Sequence, residues 1–295
     1  MPTSLAHYPS LDDRHYRFHA RVAHYNALRL APGFATLDWI ERVKADSEFR
    51  IDEGTFVERE RASVAKFAAG APEEPDAFIQ WFEALRDFGA GQGDALFPWL
   101  ANKATLAQMR WFLTQEAAGE AGFDDLVAMA QVKAPTQAKL EMARNYWDEM
   151  GRGHERGMHG LMLADVVTEL GLEPTVEESC WQSLALANLM VALAANRRYA
   201  WQAIGALGVI EMTAPGRVSL VNEGLQRLNV STRARTYFQL HAGLDIKHSE
   251  AWNREILHSL VTADPRVAAP LAEGALMRLK AGARCFAAYR EYLRV

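Results

Sequence analysis

Four stretches of this chain place acids and imidazoles where a helical protein would ordinarily put neither. The most concentrated is "YFQLHAGLDIKHSEAW", Tyr237 to Trp252, which carries His241, Asp245 and His248. At about 100° per helical residue, Asp245 lies roughly 40° from His241, and His248 about 20° on its other side. One narrow stripe therefore shows two imidazoles and a carboxylate, a set that suits iron, manganese or zinc; further carboxylates would tilt it towards iron or manganese. In "RWFLTQEAAGEAGF", Glu116 and Glu120 share a stripe with Phe112 and Phe123, and either acid is a candidate ligand. In "MARNYWDEMGRGHERGMHG", Glu149 borders the side bearing Met142 and Tyr146, while Asp148 points elsewhere. The glycines of "GRGHERG" cost roughly 1 kcal/mol each against alanine inside a helix, and they permit a bend that could re-aim His154 or His159. Glu211 closes the apolar run "YAWQAIGALGVIE". An acid on an apolar face requires a partner, and metal sites in helical bundles supply one from facing helices.

The elements that must position these residues read as helix. Apolar residues recur at three- and four-residue spacing over Asp76 to Phe88, Leu106 to Gln131, Pro135 to Met150, Glu178 to Leu207, Thr232 to Val261 and Val267 to Leu293. Alternating β-branched runs are absent. Ala214 to Val230 reads as a connection holding one short helix, and "APEEP" (Ala71 to Pro75) as a joint. The expectation is an all-α bundle over 76–295 with an N-terminal helical arm over 1–75. His7, His15, His19 and His24 dot that arm without a matching carboxylate pattern, and His258 reads as structural. Trp111, Trp147, Trp181 and Trp201 fall on apolar faces and are expected in the core.

Composition narrows the function. The chain has 295 residues, 49% hydrophobic and 23% charged, with net charge -5. That balance offers no basic field for nucleic acid or anionic lipid. The start of the chain lacks a signal-peptide pattern, and the apolar run Leu184 to Ala195 is shorter than the about 20 residues a bilayer requires. A cytoplasmic protein without membrane or nucleic-acid partners is expected. Cys180 and Cys285 are far apart and read as free thiols. No GxGxxG after a strand, GxxxxGK[ST], GxSxG or HExxH is present.

Taken in order, "FLTQEAAGEAGFDDL", "ARNYWDEMGRGHERGMHGLML", "GALGVIEMTAPGR" and "FQLHAGLDIKHSEAW" resemble the haem-oxygenase-like di-iron oxidases, also called iron-containing redox enzymes. The resemblance covers roughly Ala101 to Leu260, and "NYWDEMGRG" with a histidine soon after is its most specific element. It implies a seven-helix haem-oxygenase-like bundle that binds two Fe(II) and no haem, with O2 as co-substrate. It also implies the ligands Glu116, Glu149, His159 rather than His154, Glu211, His241, Asp245 and His248. Four carboxylates then balance the charge of two ferrous ions. The additional histidine, His241, resembles the branch whose members oxygenate an amine or guanidine nitrogen; members with two histidines desaturate or cleave fatty acids or amino acids. A small-molecule substrate, an external electron donor and a homodimer follow as expectations. A bundle of the same shape without redox chemistry is the remaining alternative. It sits poorly with so large a ligand set, because a thiamin-pyrimidine hydrolase needs a core cysteine nucleophile and Cys180 stands at a helix start.

Overall fold

The computed structural model describes residues 14–295; residues 1–13, with His7 and the first part of the arm, lie outside the described residues. Helices α1 (Arg14–Leu30) and α2 (Trp39–Ala68) fall in the stretch that the sequence reads as an arm. Helices α3 (Pro75–Phe88), α4 (Leu96–Asn102), α5 (Leu106–Gly119), α6 (Phe123–Ala130) and α7 (Thr136–Glu149) lead to a tight loop. Beyond it come α8 (His159–Leu170), α9 (Trp181–Ala195), α10 (Ala200–Arg227), α11 (Thr232–Ala251), α12 (Ser259–Ala263) and α13 (Ala268–Leu293). The described residues contain no strand, as the spacing predicts.

Local chemistry sets several starts. Glu74 accepts from the amides of Asp76 and Ala77 ahead of Pro75, Thr105 and Gln108 form a capping box, and Ser231 accepts from Ala234 N. Each satisfies first-turn N–H groups that a helix leaves unpaired. The arm is bound to the bundle by polar as well as apolar contacts. Asn188 of α9 donates to the His19 carbonyl and receives Asn26 Nδ2 at 3.1 Å. Burial, with Arg284 nearby, pushes the His19 ring down to about 3, so it packs as a neutral group against Phe56 and Trp181.

Helix α10 is the axis of the fold, packed against α11, α13 and α4. It crosses α13 at backbone contact: a Cβ on Gly205 would lie 1.9 Å from the Leu271 carbonyl oxygen, and one on Gly274 1.9 Å from that of Gln202. Among the described residues, one segment, Arg197–Arg227, is long and apolar enough to cross a membrane, and 56% of its most apolar 18-residue stretch is buried inside the protein. It is a core helix.

Three sequence expectations are corrected. Ala214 to Val230 is no connection, because α10 runs on to Arg227 with Pro215 inside it, and Glu211 is mid-helix. Packing on both sides outweighs the amide that Pro215 cannot contribute to the ladder. The expected helix over Leu106 to Gln131 breaks at Glu120–Gly122, where Ala121 and Gly122 adopt φ of 65° and 71°. The other concerns Trp147, which is 53% exposed, while Trp252, which starts a π-helical segment (Trp252–His258) after α11, is fully buried. Cys180 and Cys285 are free and buried, as expected.

Candidate metal centre

The loop after α7 brings the ligand candidates together. Gly151, Arg152 and Gly153 all have positive φ (60°, 54° and 82°), and Met150 pairs with Met158 in an antiparallel bridge. The chain crosses itself so closely that a Cβ on Gly151 would sit 2.3 Å from the Gly157 carbonyl carbon. Only glycine tolerates both the conformation and the approach. The reversal returns His159 to Glu149, with Nδ1 2.6 Å from Oε2, and leaves His154 exposed. Gly151→Ala is therefore expected to destabilise the protein by at least about 2 kcal/mol. Differential scanning calorimetry and iron content should fall together; an unchanged melting temperature would show that the crossing is not needed.

Among the described residues, two groups have ligand atoms within 4.8 Å of one another: Glu149, His159 and His241, and Glu149, Glu211 and His248. Glu149 belongs to both. It ends α7, Glu211 comes from the middle of α10, and His241 and His248 come from α11. Asp245, one turn after His241, lines the same cavity of about 150 Å³. Of the seven residues the sequence assigns, six converge here.

Glu116 does not line this cavity; Glu120 does, alongside Glu149, His159, Glu211, His241 and Asp245. It stands at the end of α5, and its carboxylate accepts from the amides of Gly122 and Phe123 in the turn that follows. Glu116, a turn earlier, faces a neighbouring cavity with Arg217 and Arg278 and is hydrogen-bonded by Tyr289. Glu120 keeps right-handed helical backbone (φ -71°, ψ -35°), so the two acids stay on one stripe: both line the neighbouring cavity, and only Glu120 reaches the metal cavity as well.

The imidazoles are oriented from behind. His248 Nε2–H donates to Asp148 Oδ2 at 3.1 Å, and His241 Nδ1–H donates to the Tyr237 carbonyl at 2.7 Å. These bonds turn His248 Nδ1 and His241 Nε2 to the other side of each ring, where each offers a lone pair once the ring is neutral. Asp148, which the helical wheel directs away, thus supports a ligand, itself anchored by Arg152 Nε at 2.6 Å. Asn145 holds Glu211 Oε1 at 2.6 Å. Sequence spacing missed both. Asn145 lies four residues before Glu149 on α7, the one signal that could have found it.

What remains inside is a set of polar atoms without partners. His159 Nδ1, His248 Nδ1 and Asp245 Oδ1 are buried without a hydrogen-bond partner. His248 Nδ1 stands 3.6 Å from Glu211 Oε2, beyond hydrogen-bonding distance. Burial, with Glu211 and Glu149 beside it, pushes Asp245 up to about 9. Burial also raises Glu149, partly offset by the His159 ring. Desolvation lowers His241 to about 4; for His248 it is outweighed by the Glu211 and Asp148 carboxylates, which bring the ring up to about 9. Crowded acids and orphaned lone pairs facing one space are what cations would relieve, so the residues fit a carboxylate- and imidazole-bound metal.

The described arm histidines take no part. His15 stacks on Trp181, His19 is packed inside, and exposed His24 lies 3.4 Å from Glu177. His258 pairs with Asp76 at the surface.

An all-α bundle with two carboxylate–imidazole groups sharing one glutamate has the donor set of a metal site built between facing helices. The model for the iron-containing redox enzymes matches residues 110–283, more than half of the chain and all of the candidate ligands, and the chain belongs to that family. It is an iron-binding oxidoreductase. No curated protein matches the chain.

Proposed function

We propose that this protein is a non-haem di-iron oxygenase that uses O2 to N-oxygenate a small amine or guanidine-type substrate. The observation that carries the reading is the two ligand groups joined at Glu149, with His241 supplying a third imidazole. Glu149, His159 and His241 would hold one iron; Glu149, Glu211 and His248 the other. In this reading Glu120 replaces Glu116 in the set, and Asp245 completes it, so that four carboxylates still balance two ferrous ions. Bound there, the irons would supply the binding and two-electron reduction of O2.

The chain's own residues prepare that chemistry. Asp148 and the Tyr237 carbonyl fix the rings before any cation arrives, and Asn145 holds Glu211. Asp245 keeps a proton while the site has no cation and releases it as one binds. Tyr237, Leu163 and Ile210 line the cavity and limit water at the reacting nitrogen. Further reducing equivalents would come from an external donor.

The test is anaerobic Fe(II) titration, then mixing with O2 in the presence of small amines, amino acids or fatty acids. Two irons per chain and amine-dependent O2 uptake with a hydroxylamine, nitroso or nitro product are expected. Desaturated or shortened acids as the products would move the assignment to carbon oxidation. Absence of bound iron would reject the di-iron reading.

A further inference from the structure

The cavity beside the metal centre holds a charge arrangement that the redox site does not use. It measures about 160 Å³ and shares Glu120, Leu163, Ile210, Tyr237 and Arg278 with the metal cavity, so the two are contiguous. Glu116 and Arg217 line it but not the metal cavity, and Arg278 lines both. Desolvation is the largest influence on all three and disfavours the charge on each. Glu116 is met by the Tyr289 hydroxyl. Arg217 lies over the rings of Phe97 and Phe286, at 5.8 and 5.5 Å, with only long contacts to Thr213 and Gln92 at 3.4 and 3.5 Å. The Arg278 Nε–H is buried with no acceptor, and among the described residues neither arginine is in an ion pair.

An enclosed guanidinium without an anion is costly. With Glu120 assigned to the metals, two cations face one acid, leaving one positive charge uncompensated. A guanidinium's planar donors match a carboxylate. The rest of the lining is apolar, including Phe112, Leu113, Val166 and Phe238. A cavity near 150 Å³ takes a body about the size of benzene, not a long acyl chain. We infer that this cavity is the substrate subsite, and that it takes a small apolar amino acid whose carboxylate docks on Arg278 and Arg217 with its amine directed towards the metal cavity. This deepens the proposed function and rests on it for the charge balance and the direction of the amine.

Calorimetry under anaerobic conditions tests it, on Fe(II)-loaded and on iron-free protein. The probes are leucine, phenylalanine and 3-phenylpropanoate, each against its amide. The acids should bind at least about tenfold more tightly than the amides, the loss expected when a buried charged donor has no partner. Arg278→Gln should remove that preference without altering iron content. Glu116→Gln should tighten acid binding several-fold, the opposite direction, which general damage to the fold could not produce. Equal affinity for acids and amides, or no binding of any acid, would overturn the subsite. Iron bound without an acid preference leaves the di-iron reading standing and removes this one. An acid preference in a protein that binds no iron does the reverse.

Discussion

Replacing Glu149 with glutamine is expected to take iron content from about two per chain to near zero, whereas His241→Ala should leave about one. The asymmetry follows from connectivity. Glu149 is in both ligand groups, and His241 is in only one. An amide in place of the shared carboxylate loses a charge facing both sites and leaves His159 Nδ1, 2.6 Å away, beside a group that can donate to it. Loss of His241 spares Glu211, His248 and Asp148, whose mutual arrangement does not depend on it. Colorimetric iron determination after anaerobic loading and desalting gives the answer. Equal loss in both variants would mean that the seven residues hold a single centre. Full retention of iron in the Glu149 variant would place the metal elsewhere.

The second large effect concerns the iron-free protein and has the opposite sign for stability and for binding. Asp245 is pushed up to about 9 by burial and by the Glu211 and Glu149 charges. A carboxyl raised this way contributes stability fully present below its ordinary value near 4 and lost as pH rises towards 9. His248, also brought up to about 9, contributes stability present below about 6.5 and lost through the same upper range. Both groups make the iron-free protein melt lower at pH 9 than at pH 6.5. Iron should reverse the slope, because ligands must lose protons to bind it. Asp245→Asn is expected to raise the melting temperature of the iron-free protein at pH 8 to 9 by roughly 4 °C, on the order of 2 kcal/mol, while weakening iron binding. Thermal melts across pH, with and without Fe(II), read both effects. A variant less stable than the parent at pH 9 would show that the acids are not in conflict.

The two expectations share an origin. A site that gathers Glu120, Glu149, Glu211 and Asp245 around one cavity is strained by its own charge until cations enter. Such a site gives up stability for binding, a common trade at functional positions. The subsite at Arg217 and Arg278 shows the converse, guanidinium charge enclosed ahead of an anionic ligand.

The sequence by itself determined the helical class, because apolar residues at three- and four-residue spacing have no other economical fold. It also determined the stripe of His241, Asp245 and His248, since residues four and three apart on a helix must share a face. It could not choose between Glu116 and Glu120. They are themselves four apart and share one stripe. It is the place of Glu120 at the end of α5, its carboxylate on the amides of Gly122 and Phe123, that lets it line the metal cavity while Glu116 lines only the cavity with the arginines. The same holds for His159 over His154, decided by a backbone crossing at Gly151 and Gly157, and for the roles of Asp148 and Asn145. Helical periodicity records which side of its own helix a residue occupies. Which groups meet across 29 or 100 residues of chain depends on how helices pack and where they break, and those are properties of the whole fold.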